Sequence, residues 1–186
     1  MTRVLALGGA VAVLLALGAC DTTSPAVGYM PSTQNVIAIQ GAMKGGKVAV
    51  SDFATGPGLN TRPLCRLDGP LDVTAGKPMG QYLKDAMESE LFQAQALDTK
   101  SPVVISAVLN EMKVGTLGTG SWTLGLQVSS NKDPQGYYVR VDRPFSSSYT
   151  AVGACRNAVN AFAPTVQQLL GEVVNNPDFG KLSGVN

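Results

Sequence analysis

Ser121–Ser130 and Gly136–Tyr149 alternate apolar and polar residues with period two, while Pro78–Leu97 before them and Ala151–Asn175 after them repeat with a helical period. This switch restricts the chain to a sheet flanked by helices. Ser121–Ser130 turns Trp122, Leu124, Leu126 and Val128 to one face and Thr123, Gln127 and Ser129 to the other. Gly136–Tyr149 turns Tyr137, Val139 and Val141 inward and Tyr138, Arg140 and Asp142 outward. Pro102–Val114 opens with the apolar runs Val103–Ile105 and Ala107–Leu109, as a central strand does. Gly115–Gly120 and Asn131–Gly136 supply the turns between these strands. Pro144 predicts a sheet edge or a strand end, because proline lacks the N–H that a central ladder needs.

Ahead of the strands, Pro78–Leu97 predicts a helix with Met79, Leu83, Ala86, Met87, Leu91 and Ala94 on one stripe. Behind them, Ala151–Asn175 predicts a second helix with Ala154, Ala158, Phe162, Val166, Leu169 and Val173 inward. Pro164 predicts a kink or break near Phe162. Lys47–Phe53 alternates well enough for a first strand, and Val36–Gln40 is a short apolar stretch before it. Ala54–Lys77 is rich in Gly, Pro and Asp and reads as a long loop with one short strand near Leu71–Val73. Asn176–Asn186 reads as a fraying tail. A strand, a helix, three strands and a helix make an α+β fold: a four- to five-stranded mixed sheet with two helices packed on one face.

The first nineteen residues have a different character. Arg3, an apolar run from Val4 to Leu17 and small residues after it form a secretory signal, too short to span a bilayer comfortably. Leu17-Gly18-Ala19-Cys20 resembles the lipobox of bacterial lipoproteins. That resemblance implies cleavage before Cys20, a diacylglycerol on its thiol and an N-acyl lipid on the new amine. No other cofactor is expected. Asp21–Gln34, with two prolines and many small polar residues, reads as a tether. The organisation expected is therefore a signal peptide (1–19), a lipidated tether (20–35) and a single periplasmic domain (36–186). With Cys20 spent on lipid, Cys65 and Cys155 remain, and in an oxidising compartment this pair is expected to form a disulfide. Two buried free thiols or a redox-active pair are the alternatives.

Several chemistries are excluded or disfavoured. There is no histidine, so no His-based triad or imidazole metal site is possible, and three cysteines with one lipidated leave no zinc site. Loss of Arg3 with the signal balances basic and acidic residues, and no basic stripe points to nucleic acid. Gly41–Lys47 matches most of a GxxxxGK phosphate loop, but Val48 stands where Ser or Thr is needed and opens a strand, so a turn is the better reading. The glycines of Gly115–Gly120 read as a hairpin connection. Ser146–Ser148 lack a nearby base, the spacing of Asp52, Asp68 and Asp72 implies no carboxylate pair, and Trp122 reads as core. Of Tyr137 and Tyr138, one must face outward. Tyr138 is the candidate for a partner surface.

Val48-Ala-Val-Ser-Asp-Phe53, the amphipathic Tyr82–Leu91 segment and the closing helix are similar to small YajG-type envelope lipoproteins and, more loosely, to CsgG-like and transporter-auxiliary lipoproteins. The resemblance implies no catalytic residues. It leads to an expected role as a non-enzymatic lipoprotein of the cell envelope, facing the periplasm and binding another envelope protein. A lipid-transport auxiliary that holds an acyl chain between helices and sheet is the alternative, and a hydrolase working without histidine ranks last. Asp21 favours the inner membrane if enteric-type sorting applies, and the choice of membrane is left open.

Overall fold

A computed structural model describes residues 26–66 and 69–184. The signal sequence and the lipobox residues Leu17, Gly18, Ala19 and Cys20 lie outside the described residues. The elements run α1 (Thr33–Met43), β1 (Ala49–Val50), β2 (Ala54–Thr55), β3 (Leu64–Cys65), β4 (Gly69–Pro70), α2 (Met79–Gln93), β5 (Val104–Gly115), β6 (Gly120–Ser130), β7 (Tyr137–Phe145), α3 (Ala151–Val174) and α4 (Phe179–Leu182).

The architecture is α+β, with helices packed on a mixed five-stranded sheet ordered β1-β5-β6-β7. Both β1 and β2 pair in parallel with β5 along one edge; β1 falls within the expected first strand Lys47–Phe53, whereas β2 lies at the start of the stretch read as loop. The crossover through α2 accounts for the parallel pairing. The strands β5, β6 and β7 form the expected antiparallel hairpins, in a register that sets Trp122 opposite Val114 and Arg143, and Leu126 opposite Leu109 and Val139. A bulge between Leu109 and Glu111 resets the alternation of β5, returning Met112 and Val114 to the same side as Ile105 and Leu109. Pro144 sits on the edge strand β7.

The helix stripes are buried as their spacing dictates. Leu83, Met87 and Leu91 on α2, and Ala158, Val166, Leu169 and Val173 on α3, are closed to solvent. The centre of the core is aromatic. Phe162 meets Trp122 edge to face at 5.1 Å between ring centroids and Tyr82 at 5.7 Å, so one side chain joins α3 to β6 and α2. The Trp122 indole donates to the Ala158 carbonyl at 2.8 Å, which satisfies its buried N–H. Gly80 allows α2 to approach β2 closely, because a Cβ there would collide with the Phe53 carbonyl oxygen.

Four expectations are corrected. The helix α3 runs unbroken through Pro164, from its Thr150 cap, which accepts from the Gly153 N–H at 3.1 Å, to Val174. Proline removes one ladder bond there, and burial of twelve residues along α3 outweighs that loss. The short strand of the long loop is not Leu71–Val73 but the ribbon of β3 and β4. Leu71 and Val73 are instead buried as irregular chain. The tail does not fray after Asn175, since α4 buries Phe179 and Leu182 completely. The helix α1 begins inside the stretch read as tether. It buries only Asn35, Ile39 and Met43, a stripe blurred in sequence by the exposed Ile37 beside it.

Candidate interaction surfaces

The helices pack on one face of the sheet, and on the other face Lys113, Tyr138, Arg140 and Asp142 are exposed while Thr123 and Gly125 of β6 are buried among them. Glu111 lies at the centre of this open face. Its carboxylate accepts from Lys113 at 2.7 Å and from Arg140 at 2.9 Å. Arg140 also pairs with Asp142 at 2.6 Å, and Asp142 accepts from the Thr123 hydroxyl at 2.5 Å. The Lys113 and Arg140 hydrogen bonds hold Glu111 below the usual carboxylate range, and the Thr123 hydroxyl, followed by Arg140, does the same for Asp142. Tyr138 is 46% exposed, as the alternation predicts for an outward residue. Its ring does not project freely. It lies across Gly125 on the neighbouring strand, where a Cβ would collide with the phenol hydroxyl. The absence of a side chain at 125 thus makes a seat for an aromatic ring beside a charged row.

A second polar cluster was not found from sequence. Glu90 is completely buried, and its Oε1 accepts from the Tyr29 hydroxyl, from the Ser32 N–H at 3.0 Å and from Asn35 Nδ2 at 2.9 Å. Asn35 also donates to the Gln167 carbonyl at 3.0 Å, and Gln167 donates to the Met30 carbonyl at 2.9 Å. This clasp ties the chain entering the domain to α2 and α3. Desolvation, followed by the hydrogen bond to Glu90, pushes the Tyr29 phenol far up. The legible sign was a carboxylate falling on the apolar stripe of α2, one residue before Leu91. Next to the clasp, Ala26, Val27, Tyr29, Tyr82, Ala86 and the Thr74–Lys77 turn surround an open cavity of about 460 Å³. The Tyr82 hydroxyl has no partner among the described residues, and burial pushes it up to about 12.

At one end of the sheet, Cys65 and Cys155 form a disulfide that joins β3 to the first turns of α3. Arg66 holds the neighbouring loops together by donating to the carbonyls of Thr116, Ser148 (2.9 Å) and Tyr149 (3.2 Å).

The remaining sequence candidates separate. Gly41 lies within α1 and Lys44 is its left-handed C-cap, so the GxxxxGK stretch presents a helix C-terminus, the wrong polarity for phosphate. Gly115–Gly120 is a hairpin connection between β5 and β6. Ser147 donates to the Thr116 carbonyl at 2.6 Å, a structural role. Asp52 pairs with Lys84, while Asp72 accepts from the N–H groups of Thr74 and Gly76. The two are not brought together, and Asp68 lies outside the described residues. Trp122 is core. The space between helices and sheet, where an acyl chain was considered, is filled by Trp122, Phe162, Leu124, Leu126 and Leu169. Among the described residues no helix is long and apolar enough to cross a membrane, and no cluster of potential metal ligands occurs.

No family model matches the chain, and no curated protein matches it. Among solved structures it is similar to protein XCC0632 from Xanthomonas campestris, of the DUF330 family, with 14% identity over 69% of this chain and 84% of that one and a TM-score of 0.46. It is also similar to the hypothetical protein CT253 from Chlamydia trachomatis, with 13% identity, 75% and 96% coverage and a TM-score of 0.45. The likeness to YajG-type and CsgG-like lipoproteins therefore rests on the sequence segments named above.

Proposed function

We propose that this chain is a lipoprotein of the bacterial cell envelope, anchored by lipid on Cys20 and facing the periplasm. In this reading it catalyses no reaction, and it docks another envelope protein on the open sheet face around Tyr138. The lipobox and the Cys65–Cys155 disulfide support export to an oxidising compartment. The observation that carries docking is the seat of Tyr138 over Gly125, beside the Glu111–Arg140 ion pair. A tyrosine and an arginine on a preformed sheet surface lose little freedom on binding and are the residue types that anchor interfaces. The mixed charge of the row suits a partner of equally mixed charge rather than nucleic acid. No nucleotide, metal or other cofactor enters this reading, and the inner and outer membranes both remain open to it.

A photocrosslinking residue at Tyr138 in intact cells tests the docking. One defined adduct to an envelope protein is expected, with none from the same probe at Lys47 on the far side of the domain. Equal, diffuse labelling from both positions would remove the docking face.

A further inference from the structure

Large apolar side chains stand out at the disulfide-stapled end of the sheet. Leu64 is 69% exposed, Leu117 79%, and Tyr149 fully. They sit on three different loops, yet these loops form one body. The Cys65–Cys155 bridge fixes the first to α3, and the Arg66 guanidinium donates to Thr116, Ser148 and Tyr149 at once. Isolated exposed apolar residues are ordinary, but three on loops held rigidly together mark a contact face.

The place of the chain's entry says what covers it. Ala26 and Val27 share a cavity with Thr74, Ala75 and Lys77, and the other side of that turn lines a cavity with Thr61 and Arg62, next to Leu64. The chain therefore enters the domain beside the stapled loops. Only five residues lie between Cys20 and Ala26, six Cα steps with a reach of at most ~20 Å. A lipid on Cys20 keeps this end of the domain, rather than the Asn131–Gly136 hairpin at the opposite end of the strands, beside the bilayer. Tethering at this range replaces affinity by high effective concentration, so a small apolar face suffices.

We infer that the stapled loop end is a membrane-contact face, with Leu64, Leu117 and Tyr149 entering the headgroup–acyl boundary of the bilayer that carries the Cys20 lipid. This rests on the lipoprotein reading and deepens it. Tyrosine suits that boundary, where its ring meets acyl chains and its hydroxyl meets water. The lipid anchors and the loops orient. The strands then rise from the membrane, and the Tyr138 face is presented sideways to a neighbouring envelope protein.

The test uses the full lipidated protein in vesicles of phosphatidylethanolamine and phosphatidylglycerol. An environment-sensitive nitrobenzoxadiazole probe is placed on Leu64→Cys, Leu117→Cys or Tyr149→Cys with the native disulfide intact. Phe92→Cys and Tyr138→Cys serve as controls. The three loop sites should show blue-shifted emission that is lost with doxyl-labelled lipid, while the controls emit as in water. Flotation with the vesicles is read on the same samples. Failure to float overturns the anchor and the inference together. Flotation with water-like emission at the loop sites overturns the inference and leaves the anchor standing. Leu117→Ser combined with Tyr149→Ser, which changes only exposed side chains, should keep the thermal midpoint and remove the shift at residue 64. A shift that persists in this variant counts against a shared face.

Discussion

Strand β6 shows two environments within a few ångströms. On the side facing the helices Trp122, Leu124, Leu126 and Val128 are wholly closed to solvent. On the reverse side it offers Thr123, Gly125, Gln127 and Ser129. The same three strands thus build a wall held by burial and an open surface held by ion pairs. Burying a large apolar side chain is worth about 1.5–3 kcal/mol, while an exposed ion pair is worth about 0–1 kcal/mol. Stability should therefore reside on the covered face, with the open face contributing little to it.

The strongest way to break this contrast is to release the cover. Removing the bridge with Cys65→Ala and Cys155→Ala frees a loop of sequence separation 90, which on the chain-entropy model costs about 4–5 kcal/mol. Urea unfolding of the double variant against the oxidised parent measures it, and an unchanged midpoint would show that packing alone holds α3. Trp122→Ala comes next, at about 3–5 kcal/mol, because it opens a cavity against Phe162 and also strands the Ala158 carbonyl that its indole reaches.

Glu90→Ala lies between the two faces in effect, at about 1–3 kcal/mol. It removes the oxygen on which three donors converge and leaves the Tyr29 hydroxyl and the Ser32 N–H without that acceptor. Its particular signature is faster proteolysis of the segment before α1, because Tyr29 and Asn35 lose the acceptor that holds them. Unfolding at the parent midpoint with no change in cleavage would mean that the clasp is incidental. On the open face, Tyr138→Ala should move stability by less than about 0.5 kcal/mol, the usual range for a surface change, while removing the interaction with a docked partner. Loss of both together would assign Tyr138 to folding instead.

The parts legible in sequence were those where one period dominates over ten or more residues. The alternation of β6 and β7 and the stripes of α2 and α3 set the layers, and the pairing of Cys65 with Cys155 was the expectation of the lipobox reading, in which Cys20 carries lipid. The parts that escaped depend on tertiary partners. Asn35 and Glu90 are polar residues buried because they meet each other across 55 positions, and neither advertises this locally. The seat of Tyr138 needs Gly125 on the adjacent strand, a register fact that no single-strand pattern contains. Continuity of α3 through Pro164 is likewise a result of burial outweighing a local rule.

The subtlest separation of the two faces is by pH. On the open face Glu111 and Asp142 are held below their ordinary values, so their unfolded forms bind protons more tightly. That contribution is whole above the ordinary carboxylate range near about pH 4 and is lost as pH falls through the lowered folded values. The buried phenols behave oppositely. Burial raises Tyr82 to about 12 and also raises Tyr137, whose hydroxyl donates to the Val173 carbonyl at 2.8 Å. Their contribution is whole below the unfolded value near about 10 and disappears as pH rises through the raised ones. Stability against pH should thus show an acid limb that is partly the open face and an alkaline limb to which the buried phenols of the covered face contribute. Arg140→Gln should make the acid limb shallower and leave the alkaline limb in place. Added salt should flatten the Arg140-dependent part of the acid limb alone, because exposed charges are screened within about 10 Å at 0.1 M salt and buried phenols are not. An acid limb of equal slope in the parent and in Arg140→Gln would show that the row of charges on the open face contributes nothing to stability.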